Sequence, residues 1–229
     1  MYYSTIGLLA ILVLLIENQD LLFQKKEVFR QESWKIYKGF LIAVLVYYVT
    51  DVIWGILEQL KLSLLLFIDT EIYFIAMAVG IVLWTSYVVS YIGVKKGFGI
   101  FLEYAGRVIA TFVTLVSVAN IYKPILFLVD ENCSYHAYPL RYVILIVQII
   151  ILVLISADAF IHIIGKNEKL EKKQKRKYRT VALFGLIMAI FLTIQVFYPL
   201  LPVYSIAFML GTCLLRAFVI ADEYMLPTP

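Results

Sequence analysis

Residues 39–96 read GFLIAVLVYYVTDVIWGILEQLKLSLLLFIDTEIYFIAMAVGIVLWTSYVVSYIGVKK. Two apolar runs are parted by a short step around Lys61, and a lysine pair closes the second run. About 20 apolar residues cross a hydrocarbon core as a helix. Such a run has to be helical, because open backbone finds no hydrogen-bond partner in lipid. Working outward from these two, the same reading gives seven runs: about residues 3–23, 39–57, 70–94, 104–122, 141–164, 181–198 and 203–221. Glu17, Asn18 and Asp20 interrupt the first run and weaken its inner end. The fold class expected is an all-α membrane protein, a bundle of seven transmembrane helices over residues 1–224, with 225–229 as a tail.

Composition agrees. Of 229 residues 63% are apolar, and the mean hydropathy is +0.91. Soluble domains average about 45–50% apolar, so the excess needs lipid. Seven spans and short loops consume the chain and leave no room for a soluble domain. The net charge of +4 is not a nucleic-acid signal, because the basic residues gather in loops on one side. Lys25, Lys26, Arg30, Lys35 and Lys38 fill the first gap, and Lys95 and Lys96 the third. Lys166, Lys169, Lys172, Lys173, Lys175, Arg176, Lys177 and Arg179 fill the fifth. The opposite side has only Lys61, Lys123 and Arg141, the last at a span edge. Basic loops stay in the cytoplasm, so the N-terminus is expected outside and the C-terminus inside a plasma membrane that the chain crosses several times.

No basic n-region precedes the first run and no small-residue cleavage site follows it, so it does not read as a cleaved signal. Tyr2 and Tyr3 read as interfacial anchors. Cys133 and Cys213 lie in a loop and a span, and read as free thiols. The segment 166–179 reads as a stop-transfer signal with helix extensions beyond the membrane, or as a contact for anionic lipid. The chain stops soon after Asp222-Glu223-Tyr224, and the expectation is the membrane part of a longer protein.

Polar residues inside spans are expensive and face the bundle or a cavity. Tyr47, Asp51, Trp54 and Glu58 fall at i, i+4, i+7 and i+11, one stripe of a helix. Tyr73, Met77, Gly80, Trp84, Tyr87 and Tyr91 form a second stripe on the next span. Gly80 is expected to permit a close approach. The facing stripes read either as interhelical glue and interface belts or as the walls of an outward-opening pocket. Asn120, Gln195 and Tyr198 end spans four and six and would cap that pocket. The loop 123–140, with Asp130, Glu131, Asn132, Tyr135, His136 and Tyr138, reads as a lid or as a solvated connector. Farther in, Gln148, Asp158 and His162 share a face. Arg216 on span seven sits at the depth of Asp158, which suggests a buried ion pair, either a brace or a latch between signalling states.

Several functions have no motif. H-E-x-x-H, G-x-S-x-G and Walker-type glycine loops are missing from the sequence. Two histidines do not suggest haem or a metal cluster, and span seven has no lysine for a retinal Schiff base. No enzyme activity and no cofactor are expected.

The Asp51-x-x-Trp54 and Trp84-x-x-Tyr87 stripes, the loop Phe127-Leu-Val-Asp130-Glu-Asn132-x-x-Tyr135 and the N-out, C-in layout together carry a resemblance. The chain resembles the N-terminal seven-helix sensor regions of bacterial membrane signalling proteins, of the diguanylate cyclase and histidine kinase kind. That resemblance implies a small-molecule ligand in the outer pocket and a cytoplasmic output domain after span seven. It also implies a homodimer formed through that domain. A small proton- or cation-coupled transporter or channel using Asp51, Glu58 and Asp158 is the competing expectation.

Overall fold

A computed structural model describes residues 2–23, 32–93, 97–165 and 171–220. Lys25, Lys26, Arg30, Lys95, Lys96, Lys166, Lys169 and the Asp222-Glu223-Tyr224 end lie outside the described residues. Within them the chain is almost wholly helical. Helix α1 (Tyr2–Glu17) is followed by α2 (Gln19–Phe23), α3 (Glu32–Gln59), α4 (Ser63–Ile92) and α5 (Phe98–Tyr122). A hairpin of β1 (Phe127–Val129) and β2 (Tyr135–Ala137) comes next, then α6 (Pro139–Ile164), α7 (Lys172–Phe197) and α8 (Val203–Leu215). A wide π-helical turn, Arg216–Ile220, continues α8.

Five of these helices, α3 to α7, are long and apolar enough to cross a membrane, as a multi-pass membrane protein requires. Segments Ser4–Glu17 and Val203–Phe218 are apolar but shorter. The outward faces of the long helices expose Val108, Leu115, Val118, Ile146 and Ile150. Apolar surface on this scale is foreign to a protein bathed in water.

The polar break in the first run has a local cause. Asn18 is fully buried, and its side-chain amide donates to the Leu14 carbonyl at 3.1 Å. Its own carbonyl accepts from Leu21 and Leu22 at 3.1 and 3.0 Å. An asparagine that satisfies backbone groups in this way competes with the regular helix ladder, so α1 ends at Glu17 and α2 starts at Gln19 after a single turn residue. Helices α3, α4 and α5 begin at Glu32, Ser63 and Phe98, six to seven residues before the apolar runs suggest, and in α5 an exposed Glu103–Arg107 pair at 3.5 Å, one turn apart, bridges the added stretch to the run. Helix α7 begins at Lys172, so the charged segment extends the helix as expected.

Each helix packs on its chain neighbours, α3 on α4, α4 on α5, α6 on α7 and α7 on α8, while α1 lies against both α3 and α8. The core between them is aromatic. Trp84 stacks on Phe184 with centroids 3.8 Å apart, and Phe40 touches Trp84, Phe184 and Phe208. The close approach expected at Gly80 occurs elsewhere: a β-carbon there would meet only Phe208, at 4.0 Å. A β-carbon at Gly211 would lie 2.6 Å from the Phe184 ring. Gly211→Ala therefore drives α8 off α7 or tilts Phe184 off Trp84. The expected loss is about 1–3 kcal/mol, read by thermal unfolding of the detergent-solubilised protein.

Candidate ligand-binding site

The α3–α4 turn, the hairpin and the α7–α8 turn all lie at one end of the bundle. A cavity of about 40 Å³ opens there, lined by Asp51 and Trp54 of α3, Thr70, Tyr73 and Phe74 of α4, Tyr135 of β2, Arg141 of α6, and Pro199 and Leu200. At roughly 10–15 Å³ for one water, it has room for about three waters or a comparably compact solute.

Asp51 is 2% exposed, and its Oδ2 accepts a hydrogen bond from the Ser205 hydroxyl at 2.5 Å. This bond ties α3 directly to α8. Tyr47 donates to Tyr73 at 2.8 Å and packs on Tyr204, so a tyrosine layer underlies the carboxylate. Arg141 is 6% exposed. Its Nη2 donates to the Pro199 carbonyl at 3.3 Å, its Nη1 has no partner, and its guanidinium carbon sits 5.5 Å from the Tyr135 ring centroid. Burial pushes the Tyr135 phenol up to about 12, so it is a neutral donor near pH 7.

The hairpin closes this end, and its register pairs Phe127 with Ala137 and Val129 with Tyr135. Phe127 is fully buried and stacks on Phe74 at 5.7 Å. Tyr135 stacks on Phe127 and meets Trp54 edge-on at 6.3 Å. Thus the strands of the hairpin pack as a cover, while the turn residues Glu131, Asn132 and Ser134 are exposed. Asp130 shapes its turn: Oδ1 accepts from the Asn132 and Ser134 amides at 2.9 and 2.8 Å, while Oδ2 faces His136 at 3.1 Å. Cys133 takes a left-handed φ of 61° between them.

These contacts, the Ser134 N–H first and His136 after it, hold the Asp130 carboxyl below the usual carboxylate range. A depressed folded pKa stabilises the turn at pH above the unfolded value, about 3.9. That stabilisation disappears as pH falls through the lower folded value. Asp130→Ala is expected to speed hydrogen exchange at the Asn132 and Ser134 amides at neutral pH. Wild-type protein should approach the same rates, corrected for intrinsic exchange, only in strong acid.

Four of the anticipated site residues share the cavity wall: Asp51, Trp54, Tyr73 and Tyr135. Glu58 lies one turn beyond Trp54 and does not line it. Trp84 and Tyr87 lie deeper, where Tyr87 packs on Tyr37 and Tyr91. Tyr198 is 60% exposed at the end of α7. Asn120 and Gln195 support the wall from behind. Asn120 donates to Glu71 at 2.9 Å and accepts from the Ile125 and Leu126 amides at 2.8 Å, which pins the hairpin to α4 and α5. Gln195 donates to the Pro199 carbonyl at 3.0 Å and accepts from the Tyr204 amide at 3.2 Å, which fixes the α7–α8 turn.

The anticipated Asp158–Arg216 pair does not form. Helix α8 packs against α1 and α7, and Arg216 reaches Asp20 of α2 at 2.8 Å. Asp158 lies 3.6 Å from His162 one turn on, and the His162 ring stacks on Tyr178 at 4.8 Å. The proposed latch is therefore two separate contacts.

Sequence reasoning passed over Ser205, Arg141, Asp69 and Glu71. Arg141, counted in the sequence as a charge at a span edge, is the third residue of α6 and is buried, 6% exposed, against the cavity. Asp69, 6% exposed with Oδ2 unpartnered, precedes Tyr73 by one turn and so extends that stripe. Both free cysteines are as expected.

Fold and site together define a helical membrane bundle with one polar, aromatic-walled cavity under a hairpin cover. Neither family models nor curated proteins give a match to the chain.

Proposed function

We propose that this chain is a seven-span receptor of a plasma membrane, with its N-terminus outside and its C-terminal helix reporting on the cytoplasmic side. On this reading α1 with α2, and α8 with its π-turn, are the two additional crossings. The lysine-rich start of α7, at the opposite end of the bundle from the hairpin, supports that orientation. The hairpin then covers an outward-facing site for a small molecule.

The observation that carries the proposal is the Asp51–Ser205 hydrogen bond. It makes the cavity's carboxylate an anchor of the last helix. A ligand that engages Asp51 competes with Ser205, and so favours bundle packings that differ in how α8 is held. The population moves by no more than the ligand's differential affinity for those packings. The half-buried pair Arg216–Asp20 holds the far end of the same helix.

The test is a thermal-shift screen of purified protein against a small-metabolite library, followed by spin-label distances between α3 and the π-turn. A ligand that raises the unfolding temperature and changes those distances supports a receptor. Ion flux into proteoliposomes that vanishes in Asp51→Asn, without any such ligand, would establish a transporter or channel instead.

A further inference from the structure

A compact cavity that contains both a buried carboxylate and a buried guanidinium, unpaired with each other, is unusual. Two opposite charges taken out of water ordinarily meet, because separate burial leaves each desolvation penalty uncompensated. Here Asp51 accepts only from Ser205, and Arg141 has a single backbone carbonyl and the faces of Tyr135 and Tyr142. Among the described residues neither has an ion partner. One guanidinium nitrogen, buried, is left with no partner at all. Both residues nonetheless line the same space.

Resting on the receptor reading above, we infer that the cavity binds a small zwitterion, with one ammonium and one carboxylate on a compact frame. The cationic end goes to Asp51, where the rings of Trp54 and Tyr73 also line the wall, and aromatic faces attract a cation. The anionic end goes to Arg141, whose planar fork suits a carboxylate better than a point charge would. The Nη2 bond to Pro199 keeps that fork in place, and Gln195 holds the same carbonyl from the other side. Cavity size sets the scale. With room for about three waters, the site takes the smallest α-amino acids, and the three methyl groups of a betaine exceed it. Long side chains would require the hairpin to lift.

The site is selective by charge count. An amine without a carboxylate leaves Arg141 unpaired, and a carboxylate without an amine faces Asp51. Recognition by buried polar groups penalises an analogue that lacks one of its partners more than it rewards the complete ligand.

The experiment uses the full chain in detergent and needs no variant for its first arm. Glycine and L-alanine are titrated against methylamine, ethylamine, acetate and propionate, with thermal shift and tryptophan fluorescence as readouts. At least one zwitterion should bind, and its two half-molecules should bind about tenfold or more weaker. Arg141→Lys, which keeps the charge but loses the fork, should weaken the zwitterion by about tenfold and leave amine binding unaltered. An amine that binds as tightly as the zwitterion, and is indifferent to Arg141→Lys, overturns the inference and leaves the receptor reading standing. Protection by an uncharged metabolite alone has the same consequence. If no compound of any class binds, both proposals fall.

Discussion

Asp51→Asn is expected to lose ligand-dependent stabilisation while the bundle remains folded. The two halves of that expectation have separate physical grounds. An asparagine oxygen can still accept from the Ser205 hydroxyl, which approaches Asp51 at 2.5 Å, so the tie between α3 and α8 survives. The charge does not. A hydrogen bond to a charged group is worth about 1.5–3 kcal/mol, which corresponds to roughly 10–150-fold in affinity for a cationic group. Asp51→Ala should behave differently. It leaves the Ser205 hydroxyl without its buried acceptor, adding a penalty of about 1–3 kcal/mol and lowering the unfolding temperature even without ligand. The pair of variants thus separates binding from scaffold. If Asp51→Asn binds the wild-type ligand with unaltered affinity, Asp51 does not belong to the site. If Asp51→Asn unfolds as readily as Asp51→Ala, the Ser205 bond depends on the charge, and the two roles are inseparable.

How far the sequence revealed this site depends on which geometric coordinate a pattern carries. Hydropathy runs locate helices along the chain, and the five long ones were legible as elements, but α3, α4, α5 and α7 start six to nine residues before the apolar runs do, because a helix continues through polar flanking residues that a hydropathy run leaves out. A stripe at i, i+4 and i+7 fixes direction around a helix but not the depth at which a cavity opens. Asp51, Trp54 and Tyr73 therefore reach the cavity wall, while Trp84 and Tyr87, on the same stripe but farther along the helix, do not line it. Equal depth is the complementary trap. Asp158 and Arg216 were matched by level in the bilayer, but although α6 and α8 both pack on α7, Arg216 turns toward Asp20 of α2, and no spacing rule says which way a side chain on α8 turns. The hairpin was hidden for another reason. Its strands are three residues each and follow from Asp130 bonding its own loop amides and from Phe127 entering the α4 aromatic cluster. Only the second of these depends on tertiary structure. The Asp130–Asn132–Ser134 turn was legible in principle, because aspartate two residues before an amide is a common turn former.

The second large effect concerns the far end of α8. Arg216 and Asp20 sit 2.8 Å apart, with side chains 19% and 18% exposed, and their outer atoms Nη1 and Oδ1 have no further partner. Removing one member leaves a largely buried charge without compensation. The cost of such a step is about 3–5 kcal/mol in a fully buried pair, and residual exposure brings the expectation to about 3 kcal/mol for Arg216→Met. The double variant Asp20→Leu with Arg216→Met removes both charges together and should recover most of that loss, since a buried ion pair often gains little over well-packed apolar side chains. A thermodynamic cycle on detergent-solubilised protein, comparing both single variants and the double, measures the coupling directly. Coupling of about 2 kcal/mol or more identifies the pair as the clasp between the α1–α2 break and the last helix. Coupling near zero would mean that α8 is held at this end by packing alone. A receptor that signals through α8 would then have to transmit through the Ser205 end without a second fixed point.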